Sequence, residues 1–222
     1  GEGKLPRKIR AERLLQMAEI PFIYEAFDLA RFENRIIYYE TSRGCPFGCS
    51  YCLSGGDKSP VRFLPVETVF RHIDFFAENN VPLVKFVDRT FNADRKRAHE
   101  IWKFIIDNSR ETCFHFELAG SLIDDEAIKL LECAPEGVIQ FEIGVQSTNS
   151  ATLSAINRKC NIDKLFDNIK LILSKTKIHV HLDLIAGLPY EGFESFKKSF
   201  NDVYKLKPNE LQLGFLKLLK GC

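Results

Sequence analysis

Nowhere does the chain hold an apolar run close to the ~20 residues that a membrane-spanning helix needs. A surplus of either charge is missing too: 31 basic residues stand against 30 acidic ones, for a formal net charge of +1. That balance removes the electrostatic case for nucleic acid or a membrane surface as partner. The N-terminus shows no signal-peptide pattern, and no repeat or low-complexity segment interrupts the chain. The seven cysteines are odd in number and follow no secreted-type framework, which points to a reducing, cytoplasmic setting. What the 222 residues do have is 45% hydrophobic content, enough to bury a core in one large domain or two small ones.

Three of the cysteines crowd into Cys45-Pro46-Phe47-Gly48-Cys49-Ser50-Tyr51-Cys52, a CxxxCxxC spacing. Three thiolates on a tight loop can hold three irons of a [4Fe–4S] cube, which four cysteines normally complete. With a local count of three, one iron keeps an open coordination position. Gly44 and Gly48 let the backbone turn tightly, and Pro46 stiffens the first turn. Zinc usually wants a fourth Cys or His at a regular offset. Cys113, Cys133, Cys160 and Cys222 are instead scattered singly. Iron–sulfur therefore stands ahead of zinc, and a disulfide pair comes last.

Residues 1–34 lack a strong period and read as a lead-in segment or a linker from a preceding domain, with a helix around 11–19. From residue 35 to 222 short apolar runs alternate with helical patterns, the mark of βα units and a parallel sheet. Strands are expected at 36–41, 83–87, 113–118, 138–145, 178–185 and 211–215. Helices are expected at 66–79, 94–108, 124–132, 161–174 and 193–206. Asp94 and Asp124 are placed to cap first turns, and Pro65 sits just before a helix. Six such units predict an α/β fold, a partial TIM barrel built as an open (β/α)6 parallel sheet with outer helices. A flavodoxin-like doubly wound sheet is the runner-up. In both, ligands collect at the C-terminal strand ends, the side on which the cysteine loop falls.

Strand alternation selects the residues that face inward. Cys113, His115 and Glu117 share one face, and so do Gln140, Glu142, Gly144 and Gln146. His179, His181, Asp183 and Ile185 lie opposite the purely aliphatic face of their strand. A barrel packed for stability alone would use Val, Ile and Leu on its inner wall. A polar interior costs several kcal/mol unless satisfied, so it indicates a wet or ligand-filled cavity. Core histidines with satisfied hydrogen bonds, or a His/carboxylate metal site, are the competing readings.

The run Cys45-x-x-x-Cys49-x-Tyr51-Cys52, with its aromatic just before the third cysteine, resembles the signature of the radical S-adenosylmethionine (radical SAM) superfamily. Tyr39-Glu40-Thr41-Ser42-Arg43-Gly44-Cys45 is similar to members with an N-terminal cobalamin-binding domain. Glu142-Ile143-Gly144-Val145-Gln146-Ser147 resembles oxygen-independent coproporphyrinogen oxidases. The resemblance implies a [4Fe–4S] cluster on Cys45, Cys49 and Cys52, with Tyr51 covering the cluster or a ligand beside it. It further implies SAM chelated at the open iron and reductively cleaved to a 5′-deoxyadenosyl radical. By the same resemblance Glu117, Gln146 and Asp183 meet ribose hydroxyls, Arg158 pairs with the methionine carboxylate, and Ile185 contacts adenine. Many members carry a Gly-Gly-Glu type motif after the second strand. Here that place reads Phe86-Val87-Asp88-Arg89-Thr90-Phe91-Asn92, so Asp88 or its carbonyl takes the methionine ammonium, while Arg89 meets a carboxylate or is solvated. The implied partners are a substrate not identified by the motifs and an electron donor such as flavodoxin or ferredoxin, with cobalamin supplied by a domain ahead of this segment. Residues 35–222 would be the enzyme core, truncated at the C-terminus. The rival reading is a non-catalytic iron–sulfur or zinc module for electron transfer or structure.

Overall fold

The computed structural model describes residues 15–26, 35–56, 59–108 and 111–218. In chain order it contains β1 (Ile36–Tyr39), β2 (Ser42–Arg43), β3 (Arg62–Phe63), α1 (Val66–Glu78), β4 (Leu83–Phe86), α2 (Arg95–Asp107) and β5 (Cys113–Leu118). There follow α3 (Asp125–Leu131), β6 (Ile139–Gln146), α4 (Ser150–Ala155), α5 (Ile162–Lys175), β7 (His179–Ala186), α6 (Phe193–Tyr204) and β8 (Glu210–Phe215). The large sheet runs β1-β4-β5-β6-β7-β8, with every neighbouring pair parallel. Each crossover therefore steps one strand further in the same direction. A doubly wound sheet reverses that direction after its first half, so the flavodoxin-like alternative falls and the open (β/α)6 partial barrel stands.

The outer face of the sheet is apolar because alternate residues of each strand are. Phe86, Phe116, Phe141, Val180, Leu182 and Leu184 are all fully buried there. Helices cover that face with apolar stripes at helical spacing, such as Val69, Ile73, Phe76 and Ala77 of α1. Trp102 of α2 reaches Phe141 with ring centroids 5.4 Å apart, and Phe116 meets Phe91 at 4.4 Å. The expected caps form: Asp94 accepts from Arg97 N at 3.1 Å and Asp124 from Ala127 N at 2.9 Å. Each satisfies one amide that a helix start leaves orphaned.

Three features differ from the sequence reading. Residues 11–14 of the helix expected around 11–19 lie outside the described residues, and the rest is a 3₁₀ turn over Met17–Glu19. The two-stranded antiparallel ribbon of β2 and β3 and the six-residue α4 were not expected, because elements this short carry no period.

The third difference concerns the Asp88 side chain and leaves its carbonyl, the other group the sequence offered, as it stood. Its carboxylate is wholly buried and accepts from Thr41 N and Thr41 Oγ1, both at 3.0 Å. The side chain is committed to the backbone that leads into the cysteine loop and does not reach the cleft where a methionine ammonium was expected. Arg97 braces the same place, 3.4 Å from both Thr41 O and Leu64 O. Removing the carboxylate strands two buried donors and the Arg97 charge. Asp88→Ala should lower the free energy of unfolding by on the order of 3 kcal/mol, read as a fall in urea midpoint. Asp94→Ala, which loses only a cap, should cost about 1 kcal/mol. Equal effects of the two would overturn this assignment.

Candidate active site

The cysteine loop is built by close backbone approach. Gly44 has φ +105°, open to glycine without strain. A Cβ on Gly55 would lie 2.1 Å from Cys49 O, so only glycine fits where the loop returns on itself. Cys52 N donates to Cys49 O at 3.1 Å and Gly55 N to Cys52 O at 2.9 Å. These two turns carry the last two thiols around one bend. Cys45, Cys49 and Cys52 are free thiols. Among the described residues no three His, Cys, Asp or Glu side chains gather on a single metal-ion position. A [4Fe–4S] cube makes no such demand, since each thiolate meets a different iron.

The turn after α4 clasps this loop from 109 residues away in sequence. Asn157 Nδ2 donates to Gly48 O at 2.7 Å, and Ser50 N to Ile156 O at 2.9 Å. Arg158 then enters beneath: Nη1 lies 3.2 Å from Tyr51 Oη and 3.9 Å from Cys49 Sγ, while Nη2 donates to Gly144 O. Burial opposes the Arg158 charge, yet the Tyr51, Cys49 and Cys160 groups outweigh it and hold its pKa above the ordinary value. Burial pushes the Tyr51 hydroxyl up to about 12 despite Arg158. The pair therefore presents a cation and a neutral phenol beside the thiols.

The inner barrel wall is charged, in layers set by strand register. Lys85, His115 and Gln140 align across β4, β5 and β6, and Glu117, Glu142 and His181 align across β5, β6 and β7. Glu142 accepts from Lys85 at 2.8 Å and lies 3.0 Å from His115 Nε2. The His115 hydrogen bond leads in holding Glu142 down to about 2, against the pull of burial and with help from Lys85. Glu117, 3.6 Å from Lys85, is raised by burial and by Glu142. Asp183 makes no direct ion pair with Lys85: burial, with Glu142 and Glu117 adding like charge, pushes it up to about 7 against the weaker pull of Lys85. Lys85 was missed in the sequence, although a lone lysine in Leu83-Val84-Lys85-Phe86 shares the inward parity of Glu117.

All of these elements open on one cleft. It is lined by Cys45, Cys49, Cys52, Tyr51, Glu117, Gln146, Arg158 and Asp183, with Arg89, whose role the sequence left open, and with Thr90 and Cys160 added by the fold. Of the ten residues that the sequence selected, eight are thus brought together. Asp88 is not, for the reason given above. Ile185 lies at the edge of this group: it packs in one apolar cluster with Leu153, Ile156 and Leu188, against which Tyr51 also packs. Gln146 sits at φ +71°, where the β6–β7 register shifts between Gly144 and Gln146. Such a bulge re-aims a side chain at the end of its strand. Gln146 Oε1, Arg158 Nε and Asp183 Oδ1 are all buried without a hydrogen-bond partner. His181 Nε2 is 3.3 Å from Asp183 Oδ1 but not aligned to bond it. Buried polar atoms left this way cost about 1–3 kcal/mol each, and here an acceptor amide, a guanidinium and a carboxyl share one cleft with three thiols. That donor set fits a ligand bearing a carboxylate, an ammonium and hydroxyls beside a thiolate-held cluster.

The family model described as the Radical SAM superfamily matches residues 39–203. The chain belongs to the radical SAM superfamily, whose enzymes use a [4Fe–4S] cluster and S-adenosylmethionine, and it is a radical SAM enzyme core. Among curated relatives, the tRNA-2-methylthio-N(6)-dimethylallyladenosine synthase of Buchnera aphidicola subsp. Schizaphis graminum is 25% identical over 173 residues. That match covers 73% of this chain and 39% of the relative, so the chain spans about two fifths of that protein's length. Among solved structures, the radical S-adenosylmethionine methyltransferase TsrM from Kitasatospora setae, with cobalamin and a [4Fe-4S] cluster bound, aligns with a TM-score of 0.73. It is 15% identical over 84% of this chain and 35% of TsrM. Coproporphyrinogen III oxidase (HemN) from Escherichia coli aligns with a TM-score of 0.62 at 18% identity, over 83% of this chain and 44% of that one. At these identities the likeness is one of fold.

The carboxyl of Asp183 gives the site a pH signature. Burial and the neighbouring carboxylates raise its pKa in the folded protein to about 7, from the ordinary value of 3.8 that holds in the unfolded chain. The folded protein therefore binds this proton more tightly. The group is neutral in both states below pH ~4; between pH ~4 and ~7 it ionises in the unfolded chain but not in the folded one, so its cost to stability builds across that window and levels off above it. Asp183→Asn should match the wild type in stability near pH ~4 and exceed it near pH ~8. Urea midpoints at the two pH values test this, and a difference that does not grow with pH refutes it.

Proposed function

We propose that Cys45, Cys49 and Cys52 hold one [4Fe–4S] cluster and that the rest of the cleft binds S-adenosylmethionine beside it. When bound, the cluster supplies the electron that cleaves SAM to methionine and a 5′-deoxyadenosyl radical, which abstracts hydrogen from a substrate. The observation that carries the reading is the single cleft in which three free thiols face the unsatisfied atoms of Gln146, Arg158 and Asp183.

The roles of the chain's own residues follow from their chemistry. Arg158, cationic and anchored at Gly144 O and Tyr51, has Nε left to meet the methionine carboxylate. Gln146 and Glu117 accept from ribose hydroxyls. Asp183, with its raised pKa, can stand as donor or acceptor at the same sugar. Tyr51 covers the cluster side of the ligand, and the apolar outer core keeps water from the wall behind it. Residues 35–222 serve as the core that carries this chemistry, with 1–34 as lead-in. The fold likeness to TsrM supports a cobalamin-carrying domain ahead of the core. The reductant is a one-electron donor protein.

Anaerobic reconstitution with iron and sulfide tests the reading. The wild type should bind about four irons per chain, change its electron paramagnetic resonance on adding SAM, and form 5′-deoxyadenosine with a strong reductant. Alanine at any one of Cys45, Cys49 or Cys52 should abolish the cluster, while Cys113→Ala and Cys133→Ala should keep it. Arg158→Ala should weaken SAM binding about tenfold or more, since a charged partner is lost. A fourth essential cysteine, or a spectrum indifferent to SAM, would replace this reading with an electron-transfer or structural cluster.

A further inference from the structure

A second pocket, of about 280 Å³, lies behind the cysteine loop, and three guanidinium groups line it: Arg43, Arg62 and Arg89. The β2–β3 ribbon sets Arg43 directly opposite Arg62. Like charges at directly paired positions of an antiparallel ribbon destabilise it. A local rule broken in this way points to a functional site. The pocket's own groups relieve the conflict only in part. Glu40 Oε2 pairs with Arg43 Nε at 2.8 Å, whereas Arg62 Nη1 donates to Leu15 O, a neutral acceptor, at 2.8 Å. Arg89 is exposed; its backbone carbonyl accepts from Thr90 Oγ1 at 2.8 Å, and its guanidinium acts on Glu117 only through space, with no ion pair among the described residues. Among the described residues Glu40 neutralises one of the three charges, and Arg62 and Arg89 face the concave space without a carboxylate partner. Ser54 and the backbone of Gly44 complete the wall. Arginine forks in that arrangement suit a planar or tetrahedral oxyanion.

Arg89 borders both this pocket and the cysteine-lined cleft. An anion held here is one side chain away from the place where the chemistry occurs. We infer that the substrate carries an oxyanion, a phosphate or carboxylate, which Arg62 and Arg89 bind in this second pocket while the reacting part extends into the cleft. The inference rests on the functional reading above for the location of the reaction, but the binding itself needs neither iron nor SAM. An anionic anchor remote from the reacting atom is a usual source of positioning in catalysis.

The experiment is isothermal titration of the cluster-free 222-residue chain with inorganic phosphate, pyrophosphate and citrate at constant ionic strength. At least one should bind saturably. Tighter pyrophosphate assigns a phosphate-bearing substrate, and tighter citrate a carboxylate-bearing one. Arg89→Gln, at an exposed position that leaves folding intact, should weaken that binding about tenfold, and Arg62→Gln by a similar factor. Arg89→Lys should recover part of the loss, because it returns the charge without the fork. No saturable binding by any of the three anions, or unchanged affinity in both glutamine variants, overturns the inference. So does a loss confined to turnover with a protein electron donor, which would assign the arginines to that donor instead. A failure here leaves the cluster and SAM reading to stand on its own reconstitution assay.

Discussion

Glu142 accepts from Lys85 and His115 at once, and the charged interior of the barrel depends on that one carboxylate. A parallel sheet with an apolar outer face must put its polar residues inward, where desolvation penalises each charge. Lys85 joins Glu142 to Glu117, so three strands share one ionic cluster. The cation is used up at that layer. Asp183, further along β7, is left under like charge and keeps its proton to near neutral pH. The wall thus divides into a satisfied ionic layer and a rim whose polar atoms are left for a ligand.

The cysteine loop has a different dependence. Its entry is tied to the sheet by Asp88 and Thr41, and its turns are held from the far side by Asn157 and Ile156. Neither clamp uses a cysteine. The thiols are therefore positioned by groups that keep their bonds whether or not a cluster is present. Arg158 belongs to both systems, since it spans from Gly144 on β6 to Tyr51 and Cys49 on the loop. A change at Arg158 would loosen the loop and expose the cleft together.

The basic ribbon next to the loop is a third, separate arrangement. Arg43 and Arg62 are brought opposite each other only because β2 and β3 pair. Among the described residues only Glu40 pairs with either of them, and Arg89 adds to the charge from the neighbouring strand end. An overall charge of +1 hides this local concentration.

The alternation of polar and apolar residues determined the fold and most of the cleft. Period-two patterning fixes which side chains face inward, and it placed Glu117, Gln146 and Asp183 on the wall without knowledge of the strand order. The cysteine spacing likewise settled the thiol loop, because a local turn follows from local residues. Tertiary structure alone decided the rest. The contacts of Asp88 and Ile185 are examples: the Asp88 carboxylate faces Thr41, 47 residues away, and Ile185 meets α4, a helix too short to leave a period. Lys85 gained its role from Glu142 across two strand pairings, and Arg62 its opposition to Arg43 from a two-residue ribbon. Burial, pairing and pKa depend on neighbours brought close by the crossovers, and such distances are not written in residue order.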